Sequence, residues 1–285
     1  MSDSPVTQLS EHVYGMKAGP PDRPSLCAVV GQRRTVMLDA GASGAHAREF
    51  LDRLAEHRVR PPDLVVLTHW HWDHVFGAAE IGMPIIAQRM TAAQLATMAG
   101  QAWDDDALDA RVASGEEIAF CADNIKLELP EPRRVRIAQA NIIFGETLDL
   151  DLSDIRCLIR HVGGDHAEDA CIVHLPEDGL LFLGDCLYDN IYAPTRHYTR
   201  EKALPLIDKL LEFDAKTYIE GHNPAPVDQA RFIEITSKMR QAAELVNAYQ
   251  GDGAAILRSR PDEAADEDLA YYIGTFAAGY VKQGD

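Results

Sequence analysis

The chain has 285 residues, 46% of them hydrophobic and 25% charged, a balance that gives a soluble globular protein enough core for one large α/β domain. Its formal net charge of -18 argues against a nucleic-acid partner, and no apolar run nears the ~18 residues that a membrane helix needs. The five cysteines are scattered, without a CxxC pair, and the first residues lack a basic region followed by an apolar stretch; both features predict reduced thiols in a cytoplasmic setting.

In chain order, VYGMK, CAVVG and TVMLDAG are short, apolar or β-branched, and bounded by glycine or proline, which predicts strands. A helix is expected over residues 45 to 57, with Phe50, Leu51 and Leu54 on one face. DLVVLTH then reads as a buried strand that runs directly into histidines. A short helix, the strand PIIA and a helical stretch from about 90 to 117 follow. Within that stretch Trp103 precedes Asp104, Asp105 and Asp106, which fit either a helix start at the positive end of its dipole or a lid over a site. The basic cluster Arg133, Arg134 and Arg136 lies among prolines and glutamates and reads as a solvated loop.

From 125 to 184 the segments KLEL, NIIF, TLDLDL, IRCLIRH, ACIVHL and LLFLGD predict strands. A polar, aromatic loop after Asp185 runs through Tyr188, Tyr192, His197 and Tyr198 and can face a substrate. A helix near 200 to 213 leads to the strand TYIEGH, and the remainder is helical. There Phe232, Ile233, Ile235 and Met239 suit a packing face, while Tyr271, Tyr272, Phe276 and Tyr280 form a stripe that suits either the core or an interface such as a homodimer.

The chemistry concentrates in THWHWDH, which supplies His69, His71, Asp73 and His74 within six residues at the end of a buried strand. Imidazole and carboxylate are rarely buried unless paired or ligating, and together they suit zinc, iron or manganese. Three more pieces lie where strands meet loops: HVGGDH with His161, Asp165 and His166, LFLGDC with Asp185 and Cys186, and IEGHNP with His222. An α/β fold can bring several strand ends to one rim.

In this order and spacing, HxHxDH, a glycine-flanked histidine, GD and GH resemble the metallo-β-lactamase superfamily, with LDAG placing its early aspartate at Asp39. The resemblance covers roughly residues 10 to 225 and implies a four-layer αβ/βα sandwich over residues 1–226, with residues 227–285 as a helical extension packed on it. It implies that His69, His71 and His166 hold one metal, that Asp73, His74 and His222 hold a second, and that Asp185 bridges the two. Asp39 would support the ligand loop. His161, Asp165, Cys186 and His197 are secondary candidates, and an aspartate intervenes between the glycines and His166 where many members have none.

The implied activity is a binuclear hydrolase with two zinc ions, iron or manganese being possible metals. A metal-bridging hydroxide would attack the substrate, and Asp73 would orient the nucleophile and take up a proton. Members cleave β-lactams, glutathione thioesters, lactones and phosphodiesters. A small-molecule ester, thioester or lactone fits this acidic chain best, with β-lactams or phosphodiesters as alternatives. An iron-dependent oxidoreductase of the persulfide dioxygenase type is a further alternative, disfavoured by the complete second set of donors.

Overall fold

The computed structural model describes residues 5–223 and 225–281. Among them, β1 (Val6–Gln8), β2 (Val13–Met16), β3 (Leu26–Val30), β4 (Thr35–Leu38), β5 (Leu64–Val66), β6 (Ile85–Gln88) and β7 (Ile142–Phe144) form a seven-stranded sheet in sequential order. The first four strands pair antiparallel, and β4 to β7 pair parallel. Parallel neighbours need crossovers, supplied by α1 (Gly44–Glu56), then α2 (Trp72–Val75) and α3 (Ala78–Ile81), then α4 (Arg89–Met98), α5 (Asp105–Ser114) and α6 (Ala119–Glu128).

The second sheet contains β8 (Thr147–Asp151), β9 (Arg156–His161), β10 (Cys171–Leu175), β11 (Leu180–Gly184), β12 (Thr217–Glu220) and β13 (Val227–Asp228), in the order β13-β12-β11-β10-β9-β8. Its one parallel pair, β11 with β12, is bridged by α7 (Arg200–Leu211). The chain closes with α8 (Gln229–Ala248), α9 (Gly253–Ser259), α10 (Pro261–Ala265) and α11 (Glu267–Ala278).

Side-chain alternation explains the layering. Along β3 to β6, Ala28, Met37, Val65 and Ile85 face the helices, while Val29, Val36, Val66 and Ile86 face the other sheet. The second sheet does the same: Phe182, Val173 and Ile219 meet the first sheet, and Leu181, Ile172 and Tyr218 meet α7, α8 and α11. Strands buried on both faces read as unbroken apolar runs, which is why they are conspicuous in the sequence. The result is helices, sheet, sheet, helices, the expected four-layer α/β sandwich with helices at its C-terminal end.

Three local expectations are corrected. KLEL is not a strand but the last turn of α6, because Cys121, Ala122 and Ile125 recur at helical spacing on the buried face. Leu127, which alternation would bury, is 71% exposed. The stretch from 90 to 117 divides into α4 and α5, and Asp104 restarts the helix by accepting from the Ala107 amide at 2.9 Å. Trp103 is buried against Phe76 at 4.8 Å between ring centroids, so this segment is a helix start rather than a lid. Arg133 is not solvated: it donates to the carbonyls of Trp103 and Leu129 and pairs with Asp105 and Glu131.

The aromatic stripe of α11 mostly packs inward. Tyr272, Phe276 and Tyr280 join the core against the second sheet, with Phe276 5.2 Å from the ring of Tyr198. Tyr218 of β12 stacks on Phe232 of α8 at 3.8 Å. The helical region opens one strand later than expected, since β13 pairs antiparallel with β12. Residues 282–285 of that expectation lie outside the described residues.

The two sheets are also tied at their rim. His12 Nδ1 donates to Asp178 Oδ1 at 2.8 Å, and Ser10 Oγ donates to the other oxygen of the same carboxylate. Burial alone would lower the His12 pKa, but Asp178 and Asp154 outweigh it and raise it; the same bonds lower the pKa of Asp178 despite its partial burial. The histidine's contribution is therefore full below its unfolded pKa and fades as pH rises through the raised value. The aspartate's is present above its ordinary pKa and fades as pH falls through the lowered one. His12→Gln is expected to cost about 1 kcal/mol more near pH 5 than near pH 9 in urea unfolding; an equal loss at both would show that the pair carries no charge-dependent stability.

Candidate metal centre

The HxHxDH segment sits where β5 leaves the first sheet. His69 and His71, the latter the N-cap of α2, bring their imidazoles together, with ring centroids 4.5 Å apart. The turn of α2 then swings Asp73 and His74 into the same space, with the His69 and His74 rings 4.2 Å apart. The second sheet delivers the rest: His166 from the loop after β9, Asp185 directly after β11, and His222 two residues after the neighbouring β12.

The two glycines of GD and GH have steric reasons to be there. Gly184 has φ +53°, and a Cβ there would lie 2.9 Å from Thr68 Oγ1. A Cβ on Gly221 would lie 1.9 Å from Asp185 Oδ1, which no side chain could tolerate.

The seven predicted residues converge in two groups, His69 with His71 and His166, and Asp73 with His74, Asp185 and His222, the donor atoms of each lying within 4.8 Å of one another. Asp185 Oδ2 lies between them, 3.4 Å from His166 Nε2 and 4.0 Å from His69 Nε2 on one side, and 3.3 Å from both His74 Nε2 and His222 Nε2 on the other. Asp73 Oδ2 is 3.0 Å from His222 Nε2 and 3.1 Å from His74 Nε2.

Each imidazole that has an outward partner turns its Nδ1 to it. His69 Nδ1 donates to Thr68 Oγ1 at 3.0 Å, and that hydroxyl donates to Asp39 at 2.9 Å. His74 Nδ1 donates to Asp39 at 2.8 Å, and His166 Nδ1 to the carbonyl of Asp189 at 3.2 Å. His222 Nδ1 is 3.5 Å from Asp22. This fixes the tautomer that leaves Nε2 lone pairs facing inward.

Those inward atoms are the test of whether a cation fits. His69, His71, His74 and His166 Nε2, together with Asp73 Oδ2 and Asp185 Oδ1, are buried without a hydrogen-bond partner. Burying so many unpaired polar atoms is costly, and a cation in each group satisfies them at once. The electrostatics agree. Burial would lower the pKa of His74 and His222, yet the surrounding aspartates raise both, so the second group draws in positive charge. Burial lowers the pKa of His69 and His71, leaving them neutral donors. Asp73 and Asp185 stay ionised despite burial, held low by His74 and His222.

A cavity of about 350 Å³ opens onto the two groups, with Asp22, Phe120, Cys121, Tyr188, Ile191 and Arg196 completing its wall. Tyr188 thus faces the cavity, and its hydroxyl accepts from the His222 amide at 3.2 Å. Tyr192 packs over His71 and Trp70, at 5.4 and 5.5 Å between centroids. Burial and the charge on Asp73 push the Asp22 carboxyl up to about 6. Asp22, Phe120 and Arg196 have no motif to mark them; they belong to loops and to a helix that only the tertiary fold brings to the rim.

The secondary candidates fall elsewhere. His161 donates from Nε2 to the Glu168 carbonyl at 2.8 Å. Asp165 accepts from the amide and hydroxyl of Thr199, both at 2.8 Å, at the start of α7. Cys186 is buried in the core of the second sheet. His197 bonds the Thr195 carbonyl and packs against Gly279, away from the cavity wall.

Residues 20–222 match the family model of the metallo-beta-lactamase superfamily, and the chain belongs to that family. Among curated proteins none matches the chain. Among solved structures, it is similar to a metallo-beta-lactamase from Pontibacter korlensis at 20% identity and a TM-score of 0.56, over 82% of this chain and 97% of that one. A metallo-beta-lactamase family protein from Thermus thermophilus aligns at 18% identity and 0.60, over 95% and 92%. A stereoselective inverting sec-alkylsulfatase from Pseudomonas sp. aligns at 17% and 0.61, over 86% of this chain but 43% of its own length. At these identities the likeness is one of fold.

Asp39 makes the centre testable. Asp39→Asn removes an acceptor from a fully buried cluster. It is expected to lower stability by about 2–4 kcal/mol and metal affinity by about 10- to 100-fold. Denaturant unfolding and competition with a coloured chelator measure the two, and unchanged metal affinity would contradict a supporting role for Asp39.

Proposed function

We propose that the protein is a binuclear metal-dependent hydrolase of small-molecule esters, thioesters or lactones, with zinc as the metal. The observation that carries this reading is the position of Asp185 Oδ2 between two groups of buried, inward-facing donors. His69, His71 and His166 would hold one cation, Asp73, His74 and His222 the other, and Asp185 both. When bound, such a pair lowers the pKa of a water and polarises the bond under attack.

The chain's own residues supply the rest. Asp73 stays ionised beside the reacting space and would orient the nucleophile and take up its proton. Phe120, Ile191 and Tyr188 give the cavity an apolar flank that would exclude water from the scissile group. The net charge of -18 supports a small molecule rather than a polyanionic nucleic acid as substrate. A full second donor set supports hydrolysis over a mononuclear iron oxidoreductase.

Purified protein stripped by a chelator is expected to lose hydrolysis of aryl esters, thioesters and lactones, and to regain it when two equivalents of zinc are restored. Asp73→Asn is expected to lower kcat by about 10²–10⁴-fold. Full turnover from protein shown by elemental analysis to be metal-free would overturn the mechanism. Iron alone with oxygen uptake would favour the oxidoreductase.

A further inference from the structure

The first donor group borders two spaces. His71 and His166 form part of the cavity described above, and they also line a second cavity of about 430 Å³. Asn190 and Tyr192 line the second and Ile191 between them lines the first, so this short segment is a partition. Trp70, Met90 and Tyr192 give the second cavity an aromatic and apolar wall. The Trp70 and Tyr192 rings lie 5.5 Å apart between centroids at an angle of 32°, and both are partly buried.

The charge of this cavity is negative. Among the described residues Asp165, Glu168 and Asp169 line it, against one lysine, Lys202. Lys202 Nζ lies 3.4 Å from Glu168, and Asp165 spends both oxygens on Thr199. Asp169 differs from both. It is 2% exposed, and its Oδ2 accepts from Thr91 Oγ1 at 2.8 Å, but its Oδ1 is buried without a hydrogen-bond partner. A carboxylate oxygen left so is costly, and a cation beside it offsets that cost. Aromatic rings attract cations through their faces but offer no lone pairs to a metal ion, so rings and carboxylate together suit an organic cation.

We propose that the second cavity is a subsite for an alkylammonium group of the substrate, with Trp70 and Tyr192 as its aromatic wall and Asp169 as its counter-charge. The substrate class is then an ester or thioester with a cationic amine on one side of the scissile bond and an apolar group, facing Phe120 and Ile191, on the other. A lactone, whose ring joins the two sides of that bond, does not span the partition. This rests on the hydrolase reading for the scissile bond, but the ammonium subsite is separable from it by binding.

The test uses the zinc-loaded full chain and its Trp70→Leu and Asp169→Asn variants, each checked for unchanged zinc content. Butyrylthiocholine is compared with its uncharged isostere, the 3,3-dimethylbutyl thioester of butyric acid, by release of the thiol. In the parent chain the ratio of kcat/KM for charged over uncharged thioester is expected to reach about ten or more. Each variant is expected to lower that ratio by about three- to thirtyfold, mainly through KM. In parallel, calorimetry compares choline with 3,3-dimethylbutan-1-ol, which isolates the gain from the positive charge. That gain is expected in the parent chain and reduced in both variants. Trp70 is partly exposed, so its variant keeps the test decisive should Asp169→Asn not fold. No preference for the charged partner in the parent chain, in turnover or in binding, would overturn the subsite. A preference that survives unchanged in both variants would overturn its assignment to this cavity. A loss in Trp70→Leu alone would overturn the role of Asp169, and a loss in Asp169→Asn alone that of the aromatic wall. Turnover of neither thioester would count against the hydrolase reading, and calorimetry alone would then decide the subsite.

Discussion

A buried carboxylate with three donors organises this molecule. Asp39 is fully excluded from solvent and accepts from the Thr68 amide at 2.7 Å, the Thr68 hydroxyl at 2.9 Å and His74 Nδ1 at 2.8 Å. Its own amide bonds the carbonyl of Val66, and the next amide bonds that of His74. An unpaired charge at such depth is prohibitive, so the chain around it has little choice of conformation. Asp39 itself adopts φ +58°, a left-handed geometry uncommon outside glycine, asparagine and aspartate. The end of β4 and the HxHxDH segment are thereby set relative to each other before any cation is considered.

From that constraint the polarity of the His69 and His74 rings follows. With Nδ1 engaged outward, the lone pair of Nε2 is the free one, and it points into the space between the sheets. The second sheet meets this arrangement with a carboxylate and an imidazole from the adjacent ends of β11 and β12 and a further imidazole from the loop after β9. Glycine at 184 and 221 permits the approach, since either position would otherwise drive a methyl group into Thr68 or Asp185. Packing and electrostatics thus act together: the apolar layer between the sheets brings the strand ends together, and the polar network decides which atoms face one another.

Much of this is legible in the sequence because it is local. Strands buried on both faces announce themselves as apolar runs, and the donors follow those runs directly, so His69, His71, Asp73, His74, Asp185 and His222 stand out. His166 is marked by its glycine context, and Asp165 beside it is occupied with Thr199. What cannot be read there depends on tertiary company. KLEL alternates like a strand, but its neighbours bury a helical face. Arg133 looks solvated until the carbonyls that it staples are in place. Asp22, Phe120 and Arg196 reach the cavity only because distant segments converge, and single positions carry no periodicity that reports such convergence.

Each donor group is split between the two sheets. His69 and His71 come from the first sheet and His166 from the second; Asp73 and His74 come from the first, Asp185 and His222 from the second. Neither half of the chain owns a full coordination sphere. A nascent or partly unfolded chain would therefore offer cations only fragmentary, weak sites, and tight capture would wait until both halves have docked. Occupancy would act as a proofreader of assembly, locking the sandwich shut with a free energy that grows with the ratio of available ion to its dissociation constant.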